Sequence, residues 1–177
     1  MKDNTMKRIT TILLALVVAA TGTMCALNSP PEPTNAPPEM AETSDGVRVE
    51  DMMVEMDDGV HLATTVYYPI GEGPWPAVLT RTPYGRSGEH EWGLDVAEYG
   101  VAFVIQDTRA RFDSEGEDMS FFADREDGQA TLEWIVAQPW SNGRVMTIGG
   151  SARGITQYAM APGAPDALRC QWIEVAT

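Results

Sequence analysis

The sequence has few of the residues that form cross-links and metal sites: its 177 residues include two cysteines and two histidines. A disulfide framework needs several cysteines, and a zinc site needs three or four ligands, so neither is expected. Positive charge is also scarce, because 12 Lys and Arg stand against 26 Asp and Glu, for a formal net charge of -14. Such a chain lacks the basic patch that binds phosphate backbones. We therefore expect no metal ion or other cofactor and no nucleic-acid partner.

Residues 1–24 have the features of a secretory signal segment. Lys2, Lys7 and Arg8 precede an apolar run over residues 9–20. This order of charge and apolar residues is typical of export signals, and the run is too short for a comfortable membrane span. We expect an exported protein, periplasmic or extracellular.

The residues after the apolar run leave two forms of export open. Cleavage near Val18-Ala19-Ala20 would give a freely soluble product, whereas a lipid on Cys25 would attach the protein to a membrane. Residues 22–24 fit a lipoprotein signal poorly. Residues 25–45, in contrast, are rich in proline and polar side chains, as a tether behind a lipidated cysteine would be.

Residues 46–177 are predicted to form the folded domain. Two strand-like runs flank Asp57-Asp58-Gly59, and Asp-Gly between such runs predicts a β-hairpin. Strand-like and helix-like segments then alternate: AVLTRT, SGEHEWGLDVAEYG, VAFVIQD, REDGQATLEWIVAQ, RVMTIGG, ARGITQYAMA and RCQWIEVA. This alternation, with continuously apolar strands such as VAFVIQD, predicts an α/β fold with a parallel sheet and helices on both faces.

The segment VMTIGGSARGIT, residues 145–156, places Ser151 at the turn from a strand into a helix. That turn lies at the carboxyl edge of the sheet, where open α/β folds bind ligands. Gly149 and Gly154 remove side chains that would crowd the bend, and the amide of Ala152 could stabilise an oxyanion. Two interpretations remain open: a nucleophile elbow, or a plain glycine turn.

Five segments, including the one around Ser151, occur in a characteristic order: MDDGVHLATTVYYP, RTPYGR, QDTRARFDSEGE, EWIVAQPWSNGRV and IGGSARGITQ. Together they resemble the X-Pro dipeptidyl-peptidases and cocaine-esterase-like (CocE/NonD) acyl hydrolases, a group of α/β-hydrolases. The resemblance implies the N-terminal portion of an α/β-hydrolase domain, truncated after about its sixth strand. It also implies a small-molecule ester or peptide as substrate.

The resemblance assigns roles to three residues. Ser151 matches the nucleophile, the backbone amide of Ala152 one oxyanion donor, and the hydroxyl of Tyr84 the second donor. Tyr84 follows a strand that ends near residues 80–82, so it too should lie at the carboxyl edge. A phenol can donate a proton to a developing negative charge without carrying charge itself. The alternative for Tyr84 is an aromatic side chain that covers the core.

The chain departs from the family pattern at several positions. The family usually has tyrosine where this chain has Ala152, and a small residue where it has Arg153. Two family glycines are replaced by Ala110 and Phe112, so the loop around them is expected to run differently. Asp107, in the same segment, is expected to be a loop-capping carboxylate rather than a catalytic one.

No histidine follows Ser151 in this chain. The triad of this fold runs in the order Ser, Asp or Glu, His, but only Asp166 and Glu174 are carboxylates after Ser151. His61 and His90 precede the serine and are expected at the surface. The triad acid and histidine are therefore expected beyond this length, and the 177 residues alone are expected to be inactive.

The segment RCQWIEVA is predicted as the last strand, paired on one side with the strand before Ser151. Its other edge would be unpaired, which favours oligomers or aggregates. Cys170, within this apolar segment, is expected to be a buried free thiol.

Two functions of different classes follow from these observations. The first is a serine hydrolase of ester or amide bonds that uses Ser151, Tyr84 and Ala152. The second is an exported, non-catalytic binding module that has kept the hydrolase fold. Ala152 and Arg153 favour the second, whereas an intact Ser151 and Tyr84 favour the first.

Overall fold

The computed structural model describes residues 41–42, 46–117 and 119–176. The predicted signal segment, Cys25 and most of the predicted tether lie outside the described residues. The expectations about export and lipid attachment therefore concern a part of the chain that is not described.

Seven strands and three α-helices make up the described domain. The strands are β1 (Ala41–Glu42), β2 (Arg48–Glu55), β3 (His61–Tyr68), β4 (Trp75–Thr82), β5 (Ala102–Asp107), β6 (Ser141–Gly150) and β7 (Leu168–Glu174). The helices are α1 (His90–Glu98), α2 (Asp124–Ala137) and α3 (Ala152–Met160), and a 3-10 helix covers Arg86–Glu89. The strands form one sheet in the order β1-β2-β3-β5-β4-β6-β7.

The predicted α/β fold is confirmed. Strands β2 and β3 form the predicted antiparallel hairpin, and Gly59 in its turn has a φ of 82°, a conformation that favours glycine. Strand β3 pairs antiparallel with β5, and β5, β4, β6 and β7 are parallel neighbours. The backbone of Ala41–Glu42, inside the predicted tether, pairs with β2.

Helices cover both faces of the sheet, as predicted. All six residues of β5 are buried. Phe103 packs in one apolar cluster with Ala97 of α1, whereas Val104 packs in another with Leu132 and Ile135 of α2. Since successive strand residues point to opposite faces, the two clusters lie on opposite sides of the sheet. The carboxyl ends of the parallel strands thus meet at one edge, where the candidate site is found.

One detail of the sequence interpretation is wrong. Cys170 is a free cysteine but is exposed, because it lies on β7 at the edge of the sheet, where burial alternates between exposed and partly buried.

No helix in the described ranges is long and apolar enough to cross a membrane.

Candidate active site

Ser151 stands on a sharp bend between the end of β6 and the start of α3. Its φ of 55° and ψ of -128° lie in a region that residues other than glycine rarely adopt. The bend is held by a hydrogen bond from the Ser151 N–H to the Glu174 carbonyl at 2.9 Å. The Ser151 carbonyl accepts from the N–H groups of Gly154 and Ile155 at 2.9 and 3.1 Å. The side chain of this strained residue is exposed, as a nucleophile requires.

Gly149 allows the end of β6 to lie close to α3, and Gly154 allows α3 to lie close to β7 and the residues after it. A Cβ atom added to Gly149 would lie 2.5 Å from the Cβ of Arg153. One added to Gly154 would lie 2.4 Å from the Cβ of Ala176. Both distances are far shorter than van der Waals contact, so a side chain at either position would push these segments apart. This close packing fixes the backbone on both sides of Ser151.

Tyr84 reaches the elbow from the end of β4, the strand next to β6. Its backbone N–H donates to Oγ1 of the buried Thr82 at 3.0 Å, which fixes the turn after the strand. The Tyr84 hydroxyl lies 3.3 Å from Oγ of Ser151, and either group can donate. Tyr84 is 56% exposed, so it does not serve as a cover for the core.

The backbone amide of Ala152 faces the same phenol oxygen. Hydrogen bonding from Ser151 lowers the pKa of Tyr84 below its usual value. The Ala152 N–H and the positive charge of Arg153 lower it further. The hydroxyl of Ser151, the phenol of Tyr84 and the Ala152 amide therefore lie together at the carboxyl edge of the sheet. A hydroxyl beside two hydrogen-bond donors is an arrangement that can carry out acyl transfer.

The loop that carries Tyr84 is tied down through Arg86. Its guanidinium donates to Asp107 at 2.5 Å, to the hydroxyl of Thr65 at 3.0 Å and to Asp113 at 3.2 Å. Burial raises the pKa of the Asp107 carboxyl, while Arg86 opposes that shift. Asp107 thus acts as the anchor of the Tyr84 loop.

The loop after β5 contains two residues in backbone conformations that favour glycine. Ala110 has a φ of 56° and Phe112 a φ of 51°. At both positions the resembled family has glycine, the residue that adopts such φ angles most readily. This chain adopts them with alanine and phenylalanine instead. The ring of Phe112 lies against Gly85, beside Tyr84, and is 68% exposed.

Neither histidine has Ser151 as a hydrogen-bond partner in the described part of the chain. Nδ1 of His61 lies 3.1 Å from a carboxylate oxygen of Glu115, and Nδ1 of His90 lies 3.0 Å from the Tyr67 hydroxyl. Among residues 46–117 and 119–176, no group of three His, Cys, Asp or Glu side chains could hold a metal ion.

Gln157 supports the elbow, a role that the sequence interpretation missed. Its buried side-chain amide accepts a hydrogen bond from Thr147 of β6 at 2.8 Å. The same amide donates to the carbonyls of Gly149 and Trp172, each at 3.2 Å. Gln157 therefore joins α3 to both neighbouring strands. The sequence feature that could have indicated this role is a polar residue on the apolar face of the predicted helix.

Arg81 is the second supporting residue that was missed. It is fully buried at the end of β4, where it donates to Asp124 of α2 at 2.7 Å and to Gln106 of β5 at 2.8 Å. Burial raises the pKa of Asp124, and the guanidinium of Arg81 opposes this shift. These contacts fix the end of β4 three residues before Tyr84.

Comparison with known proteins identifies related esterases and peptidases. The sequence is 41% identical over 117 residues to the cocaine esterase of Rhodococcus sp. (strain MB1 Bresler), a match that covers 63% of this chain and 20% of that esterase. An α-amino acid ester hydrolase superposes with a TM-score of 0.68 at 30% identity, over 82% of this chain and 28% of that one. An aminopeptidase from a marine sediment Thaumarchaeota archaeon gives a TM-score of 0.67 at 27% identity, over 81% of this chain and 28% of that one.

The chain thus spans less than a third of the length of each of these relatives. The family model of the X-Pro dipeptidyl-peptidases (S15 family) matches residues 58–177, which is more than half of the sequence and includes every residue of the candidate site. Sequence, fold and family model agree: this chain belongs to the X-Pro dipeptidyl-peptidase (S15) family.

Proposed function

We propose that the protein is a serine hydrolase that cleaves ester or amide bonds of small acyl compounds, with Ser151 as the nucleophile. One observation carries the proposal: the Tyr84 hydroxyl lies 3.3 Å from Oγ of Ser151, next to the Ala152 amide. Relatives named as an esterase, an amino acid ester hydrolase and an aminopeptidase support a substrate with a carbonyl carbon open to attack.

The reaction follows from the positions of these three groups. Oγ of Ser151 bonds to the carbonyl carbon, and the electrons of the C=O bond move to its oxygen. The Tyr84 O–H and the Ala152 N–H stabilise this oxyanion. When the tetrahedral intermediate collapses, the bond to the alcohol or amine breaks, and the leaving group takes up the proton that Ser151 lost. Water then attacks the acyl-serine in the same way, which releases the acid and restores the serine.

Proton transfer requires a general base, and neither His61 nor His90 has Ser151 as its hydrogen-bond partner among the described residues. A serine hydroxyl is a weak nucleophile at its ordinary pKa. The partners of His61 and His90 are Glu115 and Tyr67, and no histidine follows Ser151. We therefore expect the 177-residue chain alone to retain at most the residual catalysis of an oxyanion hole, about 10³- to 10⁴-fold over water.

The test is hydrolysis of p-nitrophenyl esters and amino acid anilides by the protein expressed from its natural gene. Ser151→Ala should abolish turnover and labelling by a fluorophosphonate, because the attacking oxygen is gone. The matched control is Ser87→Ala, since Ser87 is an exposed serine on the 3-10 helix after Tyr84. Full activity in Ser151→Ala would refute the proposal. Saturable binding of acyl compounds without hydrolysis or labelling would instead establish the non-catalytic binding module.

A further inference from the structure

An ion pair links the segment that carries Tyr84 to the helix that carries the elbow. The guanidinium of Arg153, two residues after Ser151, pairs with the carboxylate of Glu89, five residues after Tyr84. Both side chains are largely buried, with 25% and 20% of their surfaces exposed. A pair so shielded from water is less screened than one at the open surface.

The ion pair and the contact between Tyr84 and Ser151 together form a closed circuit of contacts through the site. From Tyr84 the chain runs through the 3-10 helix to Glu89, crosses to Arg153, and returns along α3 to Ser151. The backbone at Arg153 is fixed as well, because its Cβ packs against Gly149 at the bend. Without the ion pair, the segment from Tyr84 to Glu89 would lose its link to α3. The position of the phenol would then depend on its own loop alone.

The guanidinium also faces the Tyr84 ring. Cζ of Arg153 lies 6.0 Å from the ring centroid, at the outer limit of a cation–π contact. Nε of Arg153 is buried, and no acceptor in the described part of the chain reaches it. The guanidinium is therefore oriented by Glu89 and by the aromatic ring rather than by a wider network.

We propose that Arg153, paired with Glu89, is a positioning residue that holds the Tyr84 phenol in place as oxyanion donor beside Ser151. This inference rests on the proposed function. It also explains why a large, charged residue is accommodated next to the elbow, where the family pattern has small ones. The cation near the ring contributes to the lowered pKa of Tyr84, and a more acidic O–H is a stronger hydrogen-bond donor while it stays protonated.

The first experiment measures the phenol directly and needs no turnover. With 3-fluorotyrosine incorporated at position 84 alone, the phenol is titrated by ¹⁹F NMR in the protein expressed from its natural gene. Arg153→Met should raise the pKa of this phenol, because a positive charge is lost, and Arg153→Lys should keep it close to the unmutated value. Arg144→Met is the control, since Arg144 is an exposed residue near the opposite end of β6 and its loss should leave the pKa unchanged.

The second experiment separates positioning from a general structural effect. Arg153→Met should lower kcat by about tenfold to a hundredfold with little change in KM, as expected for a misplaced catalytic group. In the Tyr84→Phe background it should cause no further loss, because the group that it positions is absent. Should Arg153→Met fail to fold, Glu89→Gln breaks the same ion pair. It should also lower kcat by about tenfold to a hundredfold, and it should cause no further loss in the Tyr84→Phe background.

Three results would overturn this role of Arg153. They are an unchanged Tyr84 pKa in Arg153→Met, an equal loss of kcat in the Tyr84→Phe background, or an effect confined to KM for substrates that carry a carboxylate. The last would make Arg153 a substrate contact instead. Ser151→Ala is measured alongside: retained turnover in that variant would refute the proposed function itself, whatever the titration of Tyr84 shows.

Discussion

The side-chain amide of Gln157 donates a hydrogen bond to the carbonyl oxygen of Gly149, 3.2 Å away, inside the elbow that carries Ser151. Gly149 belongs to β6 and Gln157 to the middle of α3, so this bond crosses from strand to helix directly behind the strained residue. Backbone strain persists where the surrounding structure holds it. The amide of Gln157 is one of the groups that hold it here.

Gln157→Leu is expected to lower the free energy of unfolding by about 1–3 kcal/mol, because the buried hydroxyl of Thr147 and the carbonyl of Gly149 would lose a partner. Leucine is close to glutamine in volume, so the loss reports mainly on hydrogen bonding. Urea unfolding followed by circular dichroism measures it. Gln138→Leu, at a half-buried position just after α2, is the control and should cost less. Equal urea midpoints for the two variants would contradict the role given to Gln157.

Local patterns in the sequence were sufficient to predict the order of the strands and helices. Asp-Gly between strand-like runs marked the hairpin, and the continuously apolar VAFVIQD marked a strand buried on both faces. Edge positions were harder to predict. Cys170 sits in an apolar segment that suggests burial, yet an edge strand leaves that side chain in water. Burial depends on the neighbours of a strand, which a local pattern does not specify.

The candidate site was predictable where residues lie next to each other in the chain, as Ser151 and Ala152 do. The pairing of Tyr84 with Ser151 followed from placing both at the carboxyl edge of the sheet. The partners of Arg81, Arg86 and Arg153 were not predicted, because each pairs with a carboxylate at least 21 residues away. Charge patterns in the sequence do not indicate which of 26 acidic residues an arginine will meet.

Stability at low pH should depend on Asp58 in the hairpin turn. Hydrogen bonds from Arg109 at 2.8 and 3.2 Å hold the pKa of this carboxyl below its ordinary value of 3.8. A lowered pKa contributes stability that is present above the unfolded-state pKa and is lost as the pH falls through the folded-state pKa. Asp58→Asn should therefore be less stable than the unmutated protein at pH 7, and the difference should shrink below pH 3.8.

Urea unfolding at a series of pH values measures this difference. The control is Asp57→Asn, since Asp57 is the exposed neighbour in the same turn. A stability difference for Asp58→Asn that stays constant from pH 7 into the acid range would show that the ion pair with Arg109 is not its source.

The outer edge of β7 should make the 177-residue chain associate. Strand β7 pairs with β6, and no other described strand pairs with it. Trp172 on this strand is 56% exposed, and open, apolar edges favour pairing between chains. Trp172→Lys should shift the chain toward monomer in sedimentation velocity, because a lysine at an edge opposes pairing. Tyr158→Lys replaces an aromatic residue of equal exposure, 55%, on α3 and should leave association unchanged. A concentration-independent monomer before mutation would refute this prediction.

Tyr84→Phe tests the oxyanion donor on which the proposed chemistry depends. The substitution keeps the ring and removes only the hydroxyl that lies 3.3 Å from Ser151. Because that hydroxyl would stabilise charge that develops in the transition state, kcat should fall by roughly 10²- to 10³-fold while KM changes little. Steady-state ester hydrolysis by the protein expressed from its natural gene gives both constants. Tyr158→Phe removes a hydroxyl of matched exposure from the outer side of α3 and should keep full activity. If Tyr84→Phe instead raises KM and leaves kcat intact, the phenol binds the substrate in its ground state, and the Ala152 amide must stabilise the oxyanion with a different second donor.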